Sequence, residues 1–412
     1  MDVRVPAAAI WALGVTQIIG YGTLYYAFSV VAPGIGQSFG WSQEWVFGAL
    51  TLALLAGGLA APGMGHLMDR FGAARTMVVG SVAAALMLVV AALASNGVVF
   101  AIALVAMEVA SALVLYAAAF AALVQMGGRG AQRSITHLTL IAGFASTLFW
   151  PFTSLLLHVM DWRGVYLVFA GLNLFVCAPL HFWLATLPRP AAPLVVLAAA
   201  ADTPLAPTAL GALALRHRRL GFLLMLCGFA IEGFVLSGVL LQVMPLLTAL
   251  GLGASSVLVT SLFGPAQVLS RLVNMLFGKD LLSSWLAVIA AALLPTGLLV
   301  LTLTAPTLAG GVAFAILFGL GSGLTSIVSG ALPLQLLGRE RYGARLGWLS
   351  SARQVASAVA PFVFAVLIGA MGVPLTLWVV VGTGVAGIAV FFAIALLAGV
   401  KRPARLPTAA VV

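Results

Sequence analysis

Charge is what this chain lacks most: only 7% of its 412 residues are Asp, Glu, Lys or Arg. A water-facing protein carries about 25%, so a soluble surface cannot be covered. Acidic residues are scarcest, nine against 19 Lys and Arg. With five histidines and two cysteines, no His, Asp and Cys cluster gathers near one membrane face to build an enzyme. Cys177 and Cys227 lie inside apolar runs and read as buried thiols with no disulfide or metal role. No Gly-x-x-x-x-Gly-Lys-Ser/Thr stretch occurs, so direct ATP hydrolysis has no support. No cofactor is expected.

What is abundant is apolar length. Hydrophobic residues make up 63% of the chain, in continuous runs of the roughly 20 residues that cross a bilayer. A β-barrel would alternate every second residue instead. The reading is an all-α integral membrane protein with twelve transmembrane helices. They are placed at approximately 8–32, 44–64, 76–95, 98–124, 135–158, 164–186, 220–247, 255–277, 283–304, 306–330, 345–369 and 374–399. The first run is too long for a signal peptide and reads as the first span.

The Pro- and Ala-rich "LPRPAAPLVVLAAAADTPLAPTALGALALRHRRL" follows the sixth span and reads as a linker. The expected organisation is a six-helix bundle over 1–187, a linker over 188–217, a second six-helix bundle over 218–400 and a tail over 401–412. A shift of 210 residues lays Gly128-Arg129 on Gly338-Arg339 and Pro151-Phe152 on Pro361-Phe362. That fits two parallel, pseudo-symmetric halves, and it puts Gly143 where the second half has Arg353.

The net charge of +10 does not point to nucleic acid. Basic residues recur at every second connection, which is how membrane topology is written. With both termini inside, every Lys and Arg except Arg163, Arg271 and Arg353 falls on the cytoplasmic side. A bacterial inner (plasma) membrane, with both termini cytoplasmic, is the expected location.

Four charged residues interrupt the spans: Glu108, Glu232, Arg271 and Arg353. Insertion of each at mid-membrane costs about 2.5–3.5 kcal/mol, so they must face a wet cavity or one another. Arg271 is eight residues from Lys279 and Arg353 eight from Arg345, which places each roughly 12 Å inside the membrane. Two guanidiniums at similar depth match a carboxylate or another oxyanion. The other reading pairs them with Glu232 or backbone carbonyls, or lets them snorkel. Glu108 and Glu232 suit proton coupling, because desolvation and a nearby arginine shift a carboxyl in opposite directions.

"YGTLYYAF" supplies Tyr21, Tyr25 and Tyr26, with Tyr21 and Tyr25 on one α-helical face as candidate cavity-lining groups. Tyr116 and Gln267 join them as substrate-binding candidates, with Gln17 and Trp150 weaker. His137 and His158 read as interfacial hydrogen-bonding groups. "GLGSGLTSIVSG" sits in the tenth span and reads as helix packing or gating.

The connection "GHLMDRFGAAR", Gly65 to Arg75, is Gly-x-x-x-Asp-Arg-x-Gly followed by a basic residue. With twelve spans and a central linker, it resembles the signature loop of the major facilitator superfamily. "MDWRGVY" is also familiar from that family. The resemblance implies the major facilitator fold and a transporter, with Gly65, Asp69, Arg70, Gly72 and Arg75 as a conformational gate. From the residues themselves, Asp69 suits the N-terminus of the third span. Cationic residues in spans eight and eleven further resemble the oxalate–formate antiporter and monocarboxylate transporter branch, although Met275 stands where that branch usually carries glycine. That likeness implies a carboxylate on Arg271 and Arg353.

The expected function is a secondary active transporter (symporter or antiporter) for a small organic anion. It would work by alternating access, coupled to protons or a counter-anion carried at Glu232 or Glu108. A monomer in a lipid bilayer is expected. The alternatives are a proton-driven exporter of drugs or cationic metabolites, and a membrane enzyme or non-transporting receptor.

Overall fold

The computed structural model describes residues 5–127, 131–187, 211–253, 255–278 and 281–399. Outside them fall Arg4, Gly128-Arg129 of the repeat register, Arg189 and most of the linker, Lys279, and the tail with Lys401, Arg402 and Arg405.

In a bilayer each span must satisfy its own backbone polar groups, so these apolar runs close into helices. They are α1 Ala7–Phe39, α2 Gln43–Phe71, α3 Ala73–Ala92, α4 Gly97–Gly127, α5 Ala131–Leu157, α6 Trp162–Thr186, α7 Leu215–Ala249, α8 Ser255–Phe277, α9 Ser283–Thr304 and α10 Leu308–Leu337. The last helical stretch, Tyr342–Ala398, breaks at Gly372 (φ 78, ψ 169) just before Pro374. It therefore makes two crossings, α11 (342–371) and α12 (373–398), twelve in all among the described residues. Helices α1, α2 and α10 outrun the predicted spans. The added ends of α1 and α2, such as Gln37-Ser38 and Asp69-Arg70, are helical but polar, and hydropathy registers only what suits hydrocarbon, while α10 runs on through Pro333.

Several helices are interrupted at mid-span. A π-helical turn occupies Gly22–Tyr26 in α1 and another Asn173–Cys177 in α6. The two are tied by Asn173 Nδ2 donating to Thr23 Oγ1 at 3.0 Å. Helix α4 loosens at 112–115, α5 at 143–144 and α8 at 262. Gln17 Nε2 donates to Val114 O at 2.7 Å, answering a carbonyl at the α4 break. That commits Gln17 to structure.

The apolar cores mostly follow the two halves, with one crossing between them where Tyr342 and Leu346 of α11 pack among Met68, Phe120 and Leu123. Phe100, Tyr166 and Phe169 anchor one in α1–α6, and Phe314, Phe318 and Phe364 another in α7–α12. Cys177 is buried, but Cys227, expected inside, lies on the outer face of α7.

The halves meet on the face that carries the α2–α3 and α10–α11 loops. There Asp69 does not serve α3. Its carboxylate accepts from the backbone N–H of Gly343 and of Ala344, both at 2.8 Å, at the start of α11. Gly65 lies so near that a Cβ there would be 2.3 Å from Gly343 O. Gly72 (φ 92) ends α2 in a conformation that favours glycine. Arg70 lies over Phe71, and Arg75 is exposed. Arg339 donates to Val124 O of α4, and Gln132 Nε2 to Ser283 Oγ at 2.9 Å. Toward the opposite face, segments 28–39, 145–157 and 255–261 pack chiefly within their own halves. The molecule is closed on the basic face and parted on the other.

On the far face, Asp161 of "MDWRGVY" caps α6 by accepting from Gly164 N at 2.9 Å. Arg163 Nη1 donates to Ala92 O and Ala94 O at the end of α3, at 2.7 and 2.9 Å.

Candidate functional site

Arg271 is buried in α8 at 6% exposure. Its Nε donates to Ser326 Oγ at 3.1 Å and lies 3.4 Å from Gly323 O, both on α10. Close approach of α8 and α10 is possible because Gly323 lacks a side chain: a Cβ there would stand 2.1 Å from Ser270 Oγ. The far end of the guanidinium crosses to the first half, where Nη1 rests on Gly143 at the break in α5. Arg353 is half-buried, its stem packed on Gly233 of α7.

Opposite these arginines, the first half presents a column of aromatic rings. Trp150 packs on Tyr26 with centroids 6.0 Å apart, Tyr26 on Tyr21 at 6.2 Å, Tyr21 on Tyr116 at 4.7 Å, and Tyr116 stacks on Phe120 at 5.1 Å. Trp150 Nε1 also donates to Tyr26 O at 3.1 Å. An α-helix would align Tyr21 with Tyr25, but the π turn adds a residue to the cycle. Tyr26 therefore takes the place expected of Tyr25, which packs edge-on against Tyr26 at 5.3 Å. Tyr26 and Tyr116 lie within electrostatic reach of both arginines, and Tyr25 of Arg353 and Glu108.

Among the described residues, no hydrogen bond or ion pair engages Arg353's guanidinium, Arg271 Nη1 and Nη2, or the phenol oxygens of Tyr26 and Tyr116. None of these atoms is enclosed: the sealed polar atoms without a partner are others, including Glu108 Oε1 and Glu232 Oε2. Among the described residues no ion pair joins either arginine to Glu232, but Arg353 lies within electrostatic reach of Glu232 and Arg271 does bond a backbone carbonyl, as the other reading from sequence allowed.

Glu108 and Glu232 are each 3% exposed. Ser111 Oγ donates to Glu108 Oε2 at 3.2 Å, and Thr325 Oγ1 donates to Glu232 Oε1 at 2.5 Å. Beside Glu232 lies a void of about 10 Å³ walled by Gly228, Ala291, Gly384 and Phe391, about the space of one water. Adjacent α10 residues thus hold the carboxyl and the arginine: Thr325 holds Glu232, and Ser326 holds Arg271. Gln267 is half-buried in α8, its carbonyl against Gly323. His158 bonds back to Ser154 O, and His137 is exposed.

Sequence reasoning named Tyr26 beside Tyr21 and Tyr25 but did not single it out, took Gly143 only as a register position, and passed over Phe120, Thr325 and Ser326. Only "LTS" inside the small-residue run of α10 gave a signal, as two hydroxyls where packing alone needs none.

A family model described as Major Facilitator Superfamily matches residues 13–361. The chain belongs to the major facilitator superfamily, whose members are secondary transporters working by alternating access. Comparison with curated protein sequences gives no match. Among solved structures, the chain is similar to the human organic anion transporter MFSD10 (TETRAN), with a TM-score of 0.70 and 16% identity over 94% of this chain and 100% of that one. It is similar to the proton:xylose symporter XylE, with a TM-score of 0.68 and 14% identity over 94% and 96%. The transporter FucP in its outward conformation gives 0.68 and 14% over 94% and 98%. At these identities the likeness shows the fold. Nothing in it singles out the oxalate–formate and monocarboxylate branch.

Proposed function

We propose that the protein carries a small organic anion, a carboxylate, between Arg271 and Arg353 of the second half and the phenols of the first. One observation carries this reading: two guanidiniums with unengaged, accessible nitrogens face hydroxyl donors inside the membrane. Permanent charges there are costly, and a bound carboxylate answers them with charge-assisted hydrogen bonds. Tyr26 and Tyr116, with Tyr21 and Tyr25 beside them, complete the donor set. Glu232, with Glu108 as the alternative, carries the coupling proton, or a counter-anion takes its place. The bundles 1–187 and 218–400 rock about this site, with the Asp69 loop as the latch on the cytoplasmic face of a bacterial inner membrane and the monomer as the working unit. That one structural neighbour is named an organic anion transporter is consistent with the reading.

The test is thermal unfolding of purified protein in detergent, followed by counterflow in liposomes, with a panel of carboxylates and of cationic drugs. A ligand at 100 times its Kd stabilises the native state by about 2.7 kcal/mol. Stabilisation by a carboxylate, lost in Arg271→Gln, supports the proposal. Stabilisation by cations alone, lost in Glu232→Gln, overturns it in favour of a cation exporter.

A further inference from the structure

The aromatic column is more than two arginines need. Formate or oxalate requires only charge and hydrogen-bond donors, yet five rings from α1, α4 and α5 stand in unbroken contact across from the guanidiniums. The column does not exist merely to fill a core. Trp150 at its outer end and Tyr25, edge-on to the column at Tyr26, are each 49% exposed, and the phenols of Tyr26 and Tyr116 reach accessible space with no partner among the described residues. At its base the column is stopped: Phe120 packs where a Cβ on Gly330 of α10 would lie 2.6 Å from its ring. Above that floor the site has a wall of aromatic rings, successively tilted by 55°, 40° and 82°, on one side and cations on the other.

We propose that the preferred substrate is an aromatic monocarboxylate, its carboxylate on Arg271 and Arg353 and its ring against Tyr26 and Tyr116; this rests on the organic-anion reading. Aromatic rings prefer offset-stacked or edge-to-face partners at 4.5–7 Å between centroids, the spacing the column already keeps. The unengaged phenols offer hydrogen bonds to a ring hydroxyl, so hydroxybenzoates bind at least as well as benzoate. A dicarboxylate gains a second charge contact but leaves the wall unused.

The experiment is a competition for binding and counterflow among benzoate, 4-hydroxybenzoate, cyclohexanecarboxylate, lactate and oxalate. Benzoate and cyclohexanecarboxylate match in charge and nearly in size and differ in aromaticity. Benzoate is expected to bind about three- to tenfold more tightly than cyclohexanecarboxylate. Tyr26→Leu or Tyr116→Leu should level the two, Tyr116→Phe should keep the preference, and Arg271→Gln should abolish binding of both. Unliganded melting temperatures of the variants separate a lost preference from a damaged fold, and Tyr116→Phe keeps the ring packing. If cyclohexanecarboxylate or oxalate binds as well as benzoate, still through Arg271, the aromatic inference is overturned and the organic-anion reading stands. If no carboxylate binds, both fall.

Discussion

Nη1 of Arg271 lies so close to Gly143, in the other half of the molecule, that a methyl group on the glycine would stand 2.1 Å from it. The obstructed atom is the end of a flexible side chain, so the fold can yield. Gly143→Ala should therefore leave thermal stability within about 0.5 kcal/mol of the parent while moving the guanidinium off its place. Anion affinity should drop about tenfold, equivalent to about 1.4 kcal/mol. A ligand titration of the melting temperature reads both numbers, and unchanged affinity would separate Arg271 from the anion.

Asp69 holds the start of α11 because its charged carboxylate accepts two hydrogen bonds, from Gly343 N and Ala344 N. Asp69→Asn removes the charge and weakens the cap by about 1 kcal/mol, favouring opening of the basic face. A cysteine at Ser329, half-buried in α10 between Ser326 and the basic face, in a background lacking Cys177 and Cys227, should be labelled several-fold faster from that face. Gly65→Ala should do more, because its Cβ would meet backbone, Gly343 O at 2.3 Å, which cannot swing aside. Equal labelling in all three proteins would deny this contact a gating role.

Thr325 and Ser326 invite a paired test. Thr325→Val keeps the shape but leaves the buried Glu232 without its only hydrogen bond among the described residues, a loss of about 1–3 kcal/mol. Uptake driven by an imposed pH gradient should fall roughly tenfold, whereas ligand exchange across the membrane should persist. Ser326→Ala should do the reverse, weakening the anion through Arg271 and sparing the pH response. Identical phenotypes would mean that α10 does not keep the two functions apart.

Arg163 serves as the structural control. It caps the end of α3 through two carbonyls and lies over the ring of Trp162 at 4.4 Å and of Phe39 at 5.5 Å. Arg163→Ala should destabilise the fold by about 1.5–3 kcal/mol, the range for hydrogen bonds to charged groups. Transport per folded molecule should be unchanged, and a shifted anion specificity would contradict this assignment.

The spans were legible in the sequence because a bilayer demands apolar length, and the membrane arginines because they violate it. The crossing at Gly372 was read as a loop between two spans, since the apolar stretch is too long for one crossing and carries Gly372 and Pro374, even though the helical stretch barely pauses there. The partner of Asp69 was not legible. Its place beside α3 is local, and its bonds to Gly343 and Ala344 depend on how the halves meet. Nor was the exchange of Tyr25 for Tyr26: a π turn is set by what packs around it, here Phe149 pressed against Gly22, while spacing rules assume the α period. Gly143 looked like an empty position, because a contact made by the absence of a side chain leaves no mark on a pattern of side chains.

The mid-span interruptions give this molecule an uneven stiffness. The turn at Gly22–Tyr26, the break at 143–144 and the break at 262 lie beside the aromatic column, beneath Arg271 and on Arg271's own helix. Each is a compliant joint carrying an outer segment that packs chiefly within its own half. Bending these joints would close the parted face without dismantling the tightly packed glycines of the opposite one. A ligand held as proposed would touch the joints themselves, so the energy of holding it and the elastic work of shutting the molecule over it would be drawn from the same few residues.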